Sequence, residues 1–485
     1  MHLHPKRLTV PILFAVAIAA GLAGCDRQNA QAAQASSVAA PATKAATQAA
    51  IAQRNAQAAA ARIDAKPVAL SAAAELGKKM FYDPTLSASG RMACMTCHDP
   101  AHAFAPGNDL VAQIGGPRMN LQGARAVPSL TYHEVTPAFF IGPDANDPSD
   151  DEGKIELTEQ AQRQAVADSG RKVASQAKST ADAGQRVSEV VPQGGMDWDG
   201  RAKVISDQAA GPLFDPKEMA NTSPQLLLEK LKKAPYAKDM QALFGPAVFS
   251  SANLALGEAY FALAQYQKEE RAFHPYDSKY DYYLAGRVTL SDAEMRGKKL
   301  FDDAKKGNCA SCHIDKPSAD GHAPMFTDFQ FEALGAPRNM KLKQNADAHF
   351  YDEGICGPMR KDMAKSTQYC GLFKTPSLRN VATRHVFFHN GTFTSLADVV
   401  RFYVERETHP ENWYPRDAHG KVVKYDDLPA AHRANIDIVD APFDRKAGET
   451  PALTSAEIDD IVAFMKTLTD GYRPADAKVA AGTPQ

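Results

Sequence analysis

Two pentapeptides constrain this chain more than anything else in it: "CMTCH" at residues 94–98 and "CASCH" at residues 309–313. Two thiols separated by two residues and followed directly by histidine form the attachment pattern of a c-type haem. The thiols reach the two vinyl groups and the histidine lies under the iron. One such match is also compatible with a zinc site or a redox dithiol. Two matches, each ending in histidine, point to two covalently bound c-type haems, on Cys94, Cys97 and His98 and on Cys309, Cys312 and His313. An internal repeat agrees. "LSAAAELGKKMF" (70–81) and "LSDAEMRGKKLF" (290–301) align at a constant offset, each shortly before its haem motif. Each predicts a helix, with Ser71 or Ser291 at the N-cap and apolar residues at helical spacing; the second has the fuller capping box through Glu294. The expected fold is all-α: two cytochrome c-type haem domains with long connecting loops, roughly 67–285 and 286–476, a tail over 477–485, and a disordered tether in front.

The N-terminus explains that tether. "MHLHPKRLTVPILFAVAIAAGLAGC" has a basic start, an apolar run and small residues before Cys25, the makings of an export signal. Its ending "LAGC" resembles the bacterial lipobox, which implies a lipid anchor at Cys25 and a periplasmic protein held at a membrane. Simple cleavage to a free periplasmic protein is the other reading. Residues 26–66, rich in Ala and Gln, lack the large apolar side chains that bury a core and are expected to form a flexible tether. Of the seven cysteines, Cys356 and Cys370 then remain. In an oxidising compartment they are expected to pair as a disulfide closing a surface loop, two free thiols being the alternative. A formal net charge of -2 on 485 residues favours no polyanionic partner, so nucleic-acid binding is not expected.

Further segments carry a family resemblance: "MDWDGRA" (196–202), "GPLFDPKEM" (211–219), "FKTPSLRNVA" (373–382) and "FHNGTFTSL" (388–396). With both haem motifs in order, the chain resembles the bacterial dihaem cytochrome c peroxidases and their relatives of the methylamine-utilisation (MauG) type, over most of residues 68–470. The resemblance implies a peroxidatic haem in the N-terminal domain and an electron-transfer haem in the C-terminal one. It makes Glu218 the catalytic glutamate, a carboxyl group placed to move a proton between the peroxide oxygens. Gln208 becomes a distal-pocket amide able to hydrogen-bond peroxide or water, and Trp198 the tryptophan between the haems. Taken alone, Glu218 reads as a solvated carboxylate, Gln208 as a surface amide and Trp198 as a packing residue.

The chain departs from the peroxidase pattern in four places. Family members that need reductive activation carry a histidine in the loop after the first haem motif; here the loop reads "VAQIGGPRMN". His102 is too near His98 in sequence to cross easily to the other haem face and His133 is a remote candidate, so an open, five-coordinate or water-bound iron is expected. Tyr403 stands where ordinary family peroxidases carry an axial methionine and MauG carries tyrosine. Leu396, Val399, Val400 and Tyr403 fall on one helix face behind an N-cap at Ser395, which turns the phenol inward. The alternative is a core tyrosine, with Met325, Met340, Met359 or Met363 as ligand. Calcium, usual between the haems in the family, is doubtful, because Ala126 and Arg384 occupy ligand positions; the Arg384 guanidinium could supply the positive charge instead. Finally, an insertion over about 144–194, polar and Ala-rich, reads as an exposed helix or a mobile loop. Three functions follow. One is a peroxidase reducing hydrogen peroxide with electrons from a periplasmic donor such as a small cytochrome c or a cupredoxin. The second is a MauG-like enzyme using peroxide and a high-valent dihaem state to oxidise side chains of a protein substrate. The third, a non-enzymatic carrier or sensor, leaves Glu218 and Gln208 without a purpose.

Overall fold

A computed structural model describes residues 44–143, 190–318 and 321–474. Contacts divide the chain into residues 1–50, of which only the start of a helix is described, and residues 51–485. The signal, Cys25, the first part of the tether, most of the insertion and the tail lie outside the described residues. Among the described residues no helix is long and apolar enough to cross a membrane.

The second half of the presumed tether requires a correction. Lys44–Asp64 form a continuous helix, α1, because alanine has the highest helix propensity of any residue and the segment holds neither glycine nor proline. Its end is tied down. Asp64 forms an ion pair with Arg287, Arg62 donates to the carbonyl of Gly321, and Arg271 donates to the carbonyl of Arg62 at 2.8 Å.

The repeat is realised as two equivalent helices, α2 (Ala72–Phe81) before the first haem motif and, further on, Asp292–Asp302 before the second. Ser71 and Ser291 cap them, the latter with the reciprocal Glu294 contact. Between them run α3 (Ile205–Gln208), α4 (Ala210–Phe214), α5 (Pro224–Lys233), α6 (Ala237–Phe244), α7 (Ala252–Glu269) and α8 (Lys279–Leu284), so that Asp292–Asp302 is α9; α10 (Leu396–Glu405) and α11 (Ser455–Lys466) follow.

Glycine explains how the repeat packs. A Cβ on Gly77 in α2 would sit 2.0 Å from the Ala262 carbonyl oxygen of α7, and one on Gly297 in α9 would sit 1.9 Å from that of Asp460 in α11. Each pre-haem helix therefore approaches a later helix backbone to backbone. Two apolar cores grow on these crossings. Leu76, Met80, Phe81, Phe104, Tyr266 and Phe273 belong to one, with Cys94 and Cys97 packed against it. Phe301, Phe326, Phe402, Ile461 and Phe464 belong to the other, with Cys309, Tyr403 and Trp413 at its edge.

Strands are short and serve as clasps. β1 (Ile114–Gly115) pairs with β2 (Leu121–Gln122), β3 (Phe140–Pro143) with β4 (Val190–Gln193), and β5 (Phe331–Glu332) with β6 (Phe373–Lys374), all antiparallel. The insertion leaves from β3 and returns on β4. Cys356 and Cys370 form the expected disulfide.

Candidate haem sites and the seam between them

Both haem motifs wind into one tight turn. His98 N–H donates to the Cys94 carbonyl at 3.0 Å, and His313 N–H to that of Cys309 at 2.8 Å. Each imidazole is then held from behind in the same way: Nδ1 of His98 meets the carbonyl of Phe104 at 3.0 Å, and Nδ1 of His313 that of Phe326 at 2.9 Å. A carbonyl accepts only, so Nδ1 carries the proton and Nε2 is the nitrogen left to ligate iron. The two phenylalanines share a further property. Phe104 has φ 53° and Phe326 φ 54°, a left-handed conformation uncommon for a bulky residue, and both are buried in their cores. That geometry turns each carbonyl onto its histidine. Nothing in the sequence spacing singles out these residues.

The donor set fits a covalently held haem. Burial lowers both imidazoles to about 4, so they are neutral ligands near pH 7; the His98 value also reflects the Phe104 carbonyl and the positive charge of Arg384, and that of His313 the Phe326 and Pro376 carbonyls. Burial pushes the thiols of Cys94, Cys97 and Cys309 up to about 12 and that of Cys312 upward as well. Neutral thiols in apolar surroundings suit covalent attachment to a haem's vinyl groups.

On the N-terminal side, Glu218 follows the short helix α4. Its backbone carbonyl accepts from Gly116 N–H at 2.8 Å, and a Cβ on Gly115 would meet Glu218 Cα at 2.9 Å. The histidine-free loop thus lies directly on the glutamate. Among the described residues the Glu218 carboxyl makes no hydrogen bond; burial first, then the charges of Asp215 and Asp197, raises it to about 7, and its own charge acts on Cys94 and Cys97. Gln208, the last residue of α3, opens on a small cavity whose wall includes Pro128, His133 and Asp197.

Those three residues also line a large second cavity, which contains Cys309, Cys312, His313, Tyr403 and Trp198. Tyr403 projects from α10, capped by Ser395. Burial, then the neighbouring Cys312 and Cys309, pushes its phenol well above the ordinary value. Of the four methionines, Met325 also lines the cavity, but it directly precedes Phe326, whose carbonyl holds His313 from behind. Met340 is exposed and neither Met359 nor Met363 lines the cavity. Histidine does not fill the gap in the first loop: His102 Nδ1 is 2.9 Å from Asp99, and His133 Nε2 is 2.9 Å from the Ser129 carbonyl.

Trp198 lies where the two halves of the chain meet. Its indole N–H donates to the Ala126 carbonyl at 2.8 Å, the Ala126 N–H donates to the His389 carbonyl, and Lys374 N–H donates to the carbonyl of Trp198. Around it runs a buried ionic network. Arg125 grips Asp352 through Nε and Nη2, both at 2.7 Å, and Asp199 through Nη1 at 2.8 Å.

The family profile described as di-haem cytochrome c peroxidase matches residues 71–289. The methylamine utilization protein MauG of Paracoccus denitrificans is 30% identical over 419 residues, 83% of this chain and 90% of that protein. The chain belongs to the dihaem cytochrome c peroxidase and MauG family. It is accordingly a peroxide-dependent oxidoreductase with two covalently bound c-type haems. The cytochrome c551 peroxidase of Pseudomonas aeruginosa is 27% identical over 67% of this chain and 70% of its own. Among solved structures, the dihaem peroxidase BthA from Burkholderia thailandensis has a TM-score of 0.68 and 34% identity, covering 84% of this chain and 87% of that one; a tyrosine-to-methionine variant of it superposes equally well. A family member of this kind explains both the duplicated histidine clamp and the cavity that runs from His313 to Trp198.

Proposed function

We propose that the chain reduces hydrogen peroxide to water at its N-terminal haem, with electrons relayed from a periplasmic donor, a small cytochrome c or a cupredoxin, through the C-terminal haem. The two haem domains span about 67–285 and 286–476. The observation that carries this reading is the Glu218 carboxyl: half-buried, without a hydrogen bond among the described residues, raised to about 7 and within electrostatic reach of both N-terminal haem thiols. The haem held by Cys94, Cys97 and His98 would supply the iron for peroxide reduction. Glu218 would move a proton from one peroxide oxygen to the other, a service worth roughly 10²–10⁴-fold in rate. Gln208 orients peroxide or water by hydrogen bonding. Trp198, fixed by Ala126, lies on the route between the haems. The disulfide and the lipobox-like N-terminus support a periplasmic location with a lipid anchor at Cys25.

A second reading has its own support. Tyr403 faces the C-terminal haem cavity, and a phenolate ligand favours the oxidised metal. Such a haem accepts electrons poorly from ordinary carriers and suits a MauG-like enzyme that oxidises side chains of a partner protein. Steady-state peroxide consumption with reduced cytochrome c or cupredoxin separates the two. Donor-coupled turnover at tens per second supports the peroxidase; peroxide reaction without sustained donor oxidation supports the second reading.

A further inference from the structure

Arg384 is a half-buried cation on the cavity wall whose charge is not answered. Its Nη2 donates to the carbonyl of Val127 at 3.0 Å, and among the described residues it has no carboxylate partner. The other enclosed arginines are paired: Arg125 with Asp199 and Asp352, Arg379 with Asp281, Arg406 with Glu407. Desolvation alone acts on Arg384 and draws it down to about 10, which still leaves it charged at neutral pH. Buried charges are retained where an opposite charge meets them. Its guanidinium lines the cavity that also holds Cys312, His313 and Trp198, and its field reaches His98. The cavity's occupant must therefore supply the anion, and a haem carries negative charge on its propionate carboxylates.

We propose that Arg384 binds an ionised haem propionate at the seam between the two halves of the chain, as a resident protein cation. Guanidinium suits the task, since its fixed fork of N–H donors matches a carboxylate. The same seam is poorly made for a divalent metal. Ala126 has no side-chain oxygen, its carbonyl accepts from Trp198, and the Val127 carbonyl accepts from Arg384 itself. Both backbone carbonyls of that turn are thus turned onto N–H donors. The proposal rests on the two haems and is independent of which reading of the peroxide chemistry holds.

Spectroelectrochemistry of the holoprotein tests it, with the midpoint potential of each haem resolved. Loss of a cation beside a propionate favours the ferric state, so Arg384→Leu is expected to shift one haem to a more negative potential. The haem that moves identifies whose propionate is bound. Arg384→Lys, which keeps the charge and loses the fork, is expected to shift the same haem by less. Arg384→Gln serves the same reading if the leucine variant does not take up haem. Elemental analysis of the wild-type holoprotein after passage through chelator is expected to find less than stoichiometric calcium. One calcium per chain, or charge-removing variants with both potentials equal to those of the wild type, overturns the proposal.

Discussion

At Glu218 the electrostatics make a specific demand. Burial with Asp215 and Asp197 raises its carboxyl to about 7, so the basic form that accepts the peroxide proton fills as pH rises through about 7. Wild-type turnover is expected to climb across that range, while Glu218→Gln lowers kcat by roughly 10²–10⁴-fold and removes the limb. The same shift predicts no loss of stability. A carboxyl whose folded value lies above its unfolded one penalises the fold as pH rises past the unfolded value, so the neutral variant melts no lower than wild type at pH 8. At Tyr403, replacement by methionine is expected to raise the midpoint potential of the C-terminal haem, because thioether favours the reduced metal where phenolate favours the oxidised. An unchanged potential would remove Tyr403 from the ligand set. Legibility divides along the same line. The haem cysteines, the histidines and the inward face of Tyr403 could be read from local spacing. The carbonyls of Phe104 and Phe326 could not, since a left-handed phenylalanine has no sequence signature.

Among the elements, the repeat was legible and its reason was not. Spacing gives α2 and α9 and their serine caps, but the glycine in each repeat reads as a helix defect until the crossing is seen. Alanine at Gly77 or Gly297 would place a methyl within 2.0 Å and 1.9 Å of a carbonyl oxygen. Forcing those helices apart should cost about 1–3 kcal/mol, seen as a fall of several degrees in Tm with haem absorbance retained. A control at Gly257, where an added Cβ meets nothing within 4 Å, should instead leave Tm unchanged or slightly higher. The helical half of the tether shows the opposite failure. Lacking an apolar stripe, α1 looks disordered by composition, yet alanine propensity forms the helix and Arg62 and Asp64 tie its end.

For the whole molecule, the join between the halves rests on charges far apart in sequence. Arg125 and Asp352 are separated by 227 positions, which no local pattern reveals. Burial acts to raise Asp352, but Arg125 outweighs it and holds the carboxyl below its ordinary value. Its stabilising contribution is therefore complete above the unfolded value of about 4 and is lost as pH falls below it. Asp352→Asn leaves Arg125 with half its buried partners and is expected to cost about 3–5 kcal/mol, read by denaturant titration at pH 7, with the difference from wild type shrinking toward pH 3. On the proposed function, peroxide meets an open iron in the N-terminal half, beside Glu218 and under a loop without histidine. EPR of the purified diferric protein, followed by optical titration with peroxide, tests it most directly. One high-spin and one low-spin haem, with peroxide reacting before any reduction, is the predicted result. Two low-spin haems that ignore peroxide until one electron is added would contradict it.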